Sequence, residues 1–251
     1  MDAVYIALVA AGMGAMWWRH LRPIRARAIG SAFEPDAEIS LHVAAHESRT
    51  RAQPLSSLHI LYGLLQDETI MLGLRESTVD PEPLEDLVLA ALDTPTRAEP
   101  TESEDAQRVY GRAAAHAHHA ERRARCVDLW AYLKGTDAAV LLETHAVDHT
   151  AILFRLFHGG NDPDAADPGT SDVYVVLRND DYTTMELVCE VLEEVFGLSP
   201  GEARVRMLET HTEGRSVIGR FRASEAREKI LEVRSRARTR GAPLWIGAEP
   251  T

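Results

Sequence analysis

Asn179-Asp180-Asp181-Tyr182-Thr183 joins an alternating apolar run, Val173, Val175 and Leu177, to a run with helical apolar spacing, Met185, Val188, Leu192 and Val195. A period of two giving way to a period of 3.6 across an acidic turn predicts strand, turn and helix. Thr183 and Glu186 stand at capping-box spacing, so Thr183 is expected to cap the first helical turn while Glu186 reaches back to it. Ser199-Pro200-Gly201-Glu202 repeats the signal, with Pro at the first position of a helix that carries Val205, Met207 and Leu208 and reaches His211. The chain then turns at Gly214.

These elements, in this order, resemble ClpS, the adaptor of the ATP-dependent Clp proteases. The shared features are a strand ending in N-D-D-Y-T, then Met185-Glu186, then Met207-Leu208 with His211 and Gly214. The likeness runs from about residue 172 to 249, includes Ala242-Pro243-Leu244, and covers about a third of the chain. It implies a small α+β domain over 172–251, an antiparallel sheet packed on helices, with no enzymatic activity and no cofactor.

The resemblance also implies a ligand: proteins that begin with a bulky hydrophobic residue, or N-degrons. A free α-ammonium carries three donors and needs acceptors, which a carboxylate and an amide oxygen supply through charge-assisted hydrogen bonds. Asn179, Asp180 and His211 offer that set if the helix ending at His211 packs beside the acidic turn. By resemblance they would hold the amino group. Met185, Val188, Met207, Thr210 and Leu244 would line the side-chain pocket, with Thr183 near its rim. Methionine is flexible and polarizable, so such a pocket adapts to different apolar side chains. The chain departs from the family at Thr184, where Pro is common, and at Thr210, where an apolar residue is usual.

From Glu34 to Gly159 the apolar spacing is helical and the stretch reads twice. Leu58 to Leu65 is echoed by Val127 to Leu133, and Val79-Asp80 by Val147-Asp148, at an offset of 68 to 69 residues. One copy is too small to bury its own apolar face, so two are expected to pack as one all-α body over 31–158. Thr94 to Glu104 connects the copies, and the Gly-, Pro- and Asp-rich stretch 159–171 is expected to be an acidic linker to the C-terminal domain. The duplicated pattern resembles the Clp N-domain that precedes the ATPase rings of Clp chaperones, with Ala44-Ala45 before His59-Ile60-Leu61. Asp128 replaces that His in the second copy. No GxxxxGK[ST] loop occurs, so the chain lacks the ATPase module that follows in those chaperones.

Ala3 to Trp18 carries no charge and is followed by Arg19, Arg22, Arg25 and Arg27. As a helix it would span about 24 Å, short of a hydrocarbon core of roughly 30 Å, though local thinning costs only fractions of a kcal/mol per Å. The expectation is a single-pass anchor over residues 3–18, within a segment 1–30. Its N-terminus would face out and the rest would lie on the cytoplasmic face of the inner membrane. The net charge of -12 argues against nucleic acid, whose non-specific affinity comes from Lys and Arg. Cys126 and Cys189 are far apart and form no CxxC, consistent with reduced, buried thiols.

Other candidate sites carry less. His42 and His46 stand i, i+4 without the Glu of HExxH, and no metal site is assigned. His116, His118 and His119 read as an exposed helix face, and the basic run from Arg220 to Arg240 as the solvated side of the last helix. The expected function is a membrane-tethered adaptor that binds N-degron peptides and the N-domain of a Clp ATPase, with intramolecular docking of its own two domains possible. The alternative is a decoy or scaffold that binds the ATPase, or its own Clp N-like domain, without presenting substrates.

Overall fold

The helical half comes first in the chain. In the computed structural model, which describes residues 32–93, 102–159 and 172–251, two sets of four helices follow one another. The first set is α1 (Pro35–Thr50), α2 (Ser57–Leu64), α3 (Glu68–Glu76) and α4 (Pro81–Leu92). The second is α5 (Glu104–His119), α6 (Cys126–Ala131), α7 (Asp137–Thr144) and α8 (His149–His158). Among the described residues the non-glycine positions with left-handed φ are Ala52, Thr78, Glu121 and Ala146, each just past a helix end and repeating at the same offset. Each is followed by an amide that closes the turn: Gln53 N to Ser48 O, Arg122 N to Ala117 O, Val79 N to Leu74 O and Val147 N to Leu142 O. Asp80 and Asp148 then cap α4 and α8 by accepting from Glu82 N and Ala151 N.

The echo also explains its own exception. His59 and Asp128 occupy the third position of α2 and α6, and each accepts from the backbone amide at the start of its helix, Ser56 N and Arg125 N. A ring nitrogen and a carboxylate oxygen do the same local work. Burial pushes the His59 ring down to about 4 and keeps it neutral. Helices of the two sets pack across one another, α2 on α5, α6 and α7, and α3 on α6 and α8, burying Ile60, Leu61, Ile70, Leu129, Trp130 and Leu142. Within the first copy α1 and α2 touch at Gly63, where a Cβ would meet the Ser40 carbonyl oxygen at 2.1 Å.

The C-terminal part runs β1 (Asp172–Arg178), α9 (Met185–Glu194), α10 (Pro200–Glu213), β2 (Arg215–Arg222), α11 (Ala223–Arg240) and β3 (Trp245–Pro250). The sheet is antiparallel in the order β2-β1-β3, with β1 central. Val173, Val175 and Leu177 point to one face, as the alternation requires, and bury against Leu187, Val191, Leu192, Met207, Ile230 and Val233 from the three helices. Full burial of one such side chain contributes about 1.5 to 3 kcal/mol. Ser199 and Glu202 form their capping box with Pro200 at the first position, and Gly214 closes α10 with φ 79°. The basic run on α11 is threaded with ion pairs, Arg240 to Glu190 at 2.5 Å and Arg236 to Glu232 at 2.6 Å among them.

Two expectations need correction. Thr184, not Thr183, caps α9 by accepting from Leu187 N at 3.3 Å, because the Thr183 hydroxyl is turned to Asp180. Cys126 is buried, but Cys189 is only half-buried. The expected anchor over residues 3–18, most of the connector 94–104 and most of the linker 159–171 lie outside the described residues. Among those that are described, no helix is long and apolar enough to cross a membrane.

Candidate functional site

The turn after β1 is built around one carboxylate. Asp180 is 7% exposed. Its Oδ1 accepts from Tyr182 N at 2.8 Å and Thr183 N at 2.6 Å, and its Oδ2 from the Thr183 hydroxyl at 2.6 Å. Three of about four lone-pair sites on the group are thereby used. The turn is anchored from the other side by Asn179 N, which donates to Gly214 O at 2.9 Å and so ties the end of β1 to the end of α10. That bond brings the helix end carrying His211 beside the turn.

The nine residues singled out from sequence, Asn179, Asp180, Thr183, Met185, Val188, Met207, Thr210, His211 and Leu244, all line one cavity of ≈ 460 Å³. Val188, Met207, Thr210 and Leu244 are buried, Met185 is 43% exposed, and His211 is exposed. Among the described residues neither the Asn179 side-chain amide nor the His211 ring has a hydrogen-bond partner. The Thr210 hydroxyl donates to Arg206 O at 2.8 Å and pairs with Ser216 Oγ at 2.7 Å, so its polar atom is satisfied within the domain. Thr184 stands at φ -72°, a value that Pro also adopts, and replaces the fixed ring with a side-chain cap.

The two acids of the turn have opposite surroundings. Asp181 faces the helical half, where Arg122 and Arg125 lie at 3.1 and 3.6 Å. Asp180 has no salt bridge among the described residues. Its hydrogen bonds come from two amides and a hydroxyl, and it borders the cavity together with Arg178. A cation brought to that cavity would find a carboxylate already desolvated.

Three lining residues come from the helical half: His116, His119 and Ala120, at the end of α5. The sequence showed the histidines only as a surface cluster, because nothing local ties them to a turn some sixty residues away. What brings them there is a polar clasp centred on Asp128, whose side chain is 0% exposed. Asp128 accepts from Arg122 at 2.6 and 2.9 Å, from Arg125 N at 2.7 Å and from the Tyr182 hydroxyl at 2.7 Å. Burial alone would raise this carboxyl, but the bonds from Arg122, Arg125 N and Tyr182 outweigh it and hold the group below its usual range. Burial and the Asp128 charge push the Tyr182 phenol well up, so it stays a donor. The His116 ring stacks on Tyr182 at 5.1 Å and 16°, and Phe157 meets Tyr182 edge-on at 5.7 Å.

The family model described as "ATP-dependent Clp protease adaptor protein ClpS" matches residues 169–247. The chain is 47% identical over 76 residues to the ATP-dependent Clp protease adapter protein ClpS of Desulfatibacillum aliphaticivorans, covering 30% of this chain and 73% of that one. The chain belongs to the ClpS family. The ClpS of Neisseria meningitidis is likewise 47% identical over 70 residues, 28% of this chain and 68% of that one. A solved structure, Agrobacterium tumefaciens ClpS2 bound to L-phenylalaninamide, is 32% identical, covers 33% of this chain and all of its own, and superposes with a TM-score of 0.32. The ClpS match takes in β1, the turn, α9, α10, β2, α11 and the start of β3, while residues 32–159 lie outside it. Among the described residues no group of three or more His, Cys, Asp or Glu side chains could hold a metal ion.

Proposed function

We propose that this chain is a non-enzymatic Clp protease adaptor whose C-terminal domain binds a free, bulky hydrophobic N-terminal residue and presents its owner to a Clp ATPase. The observation that carries this reading is the pairing at one cavity of a buried carboxylate that forms no salt bridge among the described residues, Asp180, with an apolar floor of Val188, Met207 and Leu244. The α-ammonium lies against Asn179, the free acceptor capacity of Asp180 and the His211 ring. The side chain of the first residue enters between Met185, Val188, Met207 and Leu244, with Thr183 at the rim. That A. tumefaciens ClpS2 was solved with L-phenylalaninamide, a free amine on an aromatic residue, supports the same ligand class. Burying such a side chain contributes about 2 to 3 kcal/mol and each charge-assisted hydrogen bond about 1.5 to 3. After the cost of association, a roughly micromolar Kd follows.

The helical half is read as a Clp N-like module, a reading supported by the repeated turns at Ala52 and Glu121 and at Thr78 and Ala146. The apolar stretch 3–18 followed by Arg19, Arg22, Arg25 and Arg27 supports tethering at the membrane with the adaptor on its cytoplasmic face. A decoy that binds the ATPase without presenting substrates is the alternative, favoured by the clasp of Asp128 and Arg122 on the binding turn. Side-chain dependence separates the two. Anisotropy of labelled peptides that begin with Phe, Leu or Gly should show binding for the first two and about a hundredfold weaker binding for Gly, the worth of the buried side chain. Equal binding of all three, or none, refutes the adaptor reading.

A further inference from the structure

The cavity has a wall that the ClpS domain does not supply. His116, His119 and Ala120 close one side of it, and they are placed there by the clasp rather than by a mobile tip. The His116 ring is held between Tyr182, on which it stacks, and the Tyr132 hydroxyl, which meets its Nδ1 at 2.9 Å. Its Nε2 is the ring atom left for a hydrogen bond, with no partner among the described residues. Burial lowers the ring's pKa, so it is neutral at pH 7. Ala120 is exposed at the C-cap of α5, just past its last residue, and offers backbone and a methyl group rather than a long side chain.

A peptide whose first side chain fills the apolar floor, and whose amine meets Asn179 and His211, has to leave the cavity past its rim. We propose that the helical half is part of the ligand site: the second and third residues of a bound N-terminus run along the end of α5, where His116 Nε2 hydrogen-bonds the peptide and Ala120 sets the width of the exit. The site is therefore composite, and a peptide gains contacts that a single amino-acid amide does not. This rests on the reading of the cavity as a site for a free N-terminal residue.

The test uses the full chain and two probes, L-phenylalaninamide and a peptide beginning Phe-Ala-Ala, each titrated against wild type, Ala120→Trp and His116→Phe. The phenyl ring keeps a surface for Tyr182 to stack on while removing both nitrogens. The readout is the ratio of peptide affinity to amide affinity, which a general loosening of the turn does not move. The ratio should fall at least about tenfold in Ala120→Trp, through obstruction of the exit, and roughly 3- to 10-fold in His116→Phe, the worth of one hydrogen bond. A ratio unchanged in both variants overturns the composite site. Wild type that binds neither probe overturns the N-terminal-residue reading beneath it, an outcome distinct from an unchanged ratio.

Discussion

Replacing Asp128 with Asn asks whether the helical half holds the turn after β1. The change conserves shape and leaves the carboxamide one acceptor oxygen where the carboxylate had two. Four donors converge on the native group, two from Arg122 and one each from Arg125 N and Tyr182 Oη. Two of them must then face an NH2 group. Breaking a buried charge pair by removing one partner typically costs about 3 to 5 kcal/mol. The side chain of Arg122 is 22% exposed and recovers part of its hydration, which brings the expected loss to about 3 kcal/mol. In urea, with a slope of about 2 to 3 kcal/mol per M, the unfolding midpoint should move down by about 1 M or a little more. Arg220→Ala, which breaks an exposed pair with Asp172, serves as the control and should cost under about 0.5 kcal/mol. A midpoint for Asp128→Asn that coincides with the control's would refute the clasp as a stabilising element.

The same carboxylate gives stability a pH dependence. Its pKa in the folded state is depressed, so its contribution is complete above the ordinary carboxylate value near 4 and disappears as pH falls through the depressed value. Acid-unfolding curves should therefore be steeper below pH 4 for wild type than for Asp128→Asn, and parallel curves would contradict this. Thr184→Ala removes the cap of α9 and should cost about 1 kcal/mol in urea titration. Gly63→Ala forces a methyl group into the Ser40 carbonyl and should cost about 2 kcal/mol or more, seen as a lower Tm. At pH 8 Cys189 should react with a thiol reagent well before Cys126, whose thiol is pushed up to about 12 by burial.

Local signals explain what was legible in the sequence. Alternation placed β1, and the box at Ser199 and Glu202 placed the start of α10. The offset echo in the helical half falls partly on turns, and turns are fixed by a few residues such as Asp80 and Asp148. The nine candidate residues came from a resemblance in motif order, and all of them line one cavity. The cap was misplaced by one residue because two threonines are adjacent, and only the tertiary demand of Asp180 for the Thr183 hydroxyl decides between them. What the sequence did not disclose is the meeting of the α5–α6 corner with the turn. Arg122 and Asp181, or Asp128 and Tyr182, are ordinary surface residues until the fold buries them together, and separations of 59 and 54 residues leave no periodic trace.

The central claim is that a protonated chain start is what the cavity recognises, and one paired titration reads this directly. The Kd of a peptide beginning with free Phe should be roughly micromolar, and acetylating only its α-amine should weaken it at least about a hundredfold, as expected when charge-assisted bonds at Asn179, Asp180 and His211 are lost. Equal affinity for the free and acetylated peptides would contradict the account.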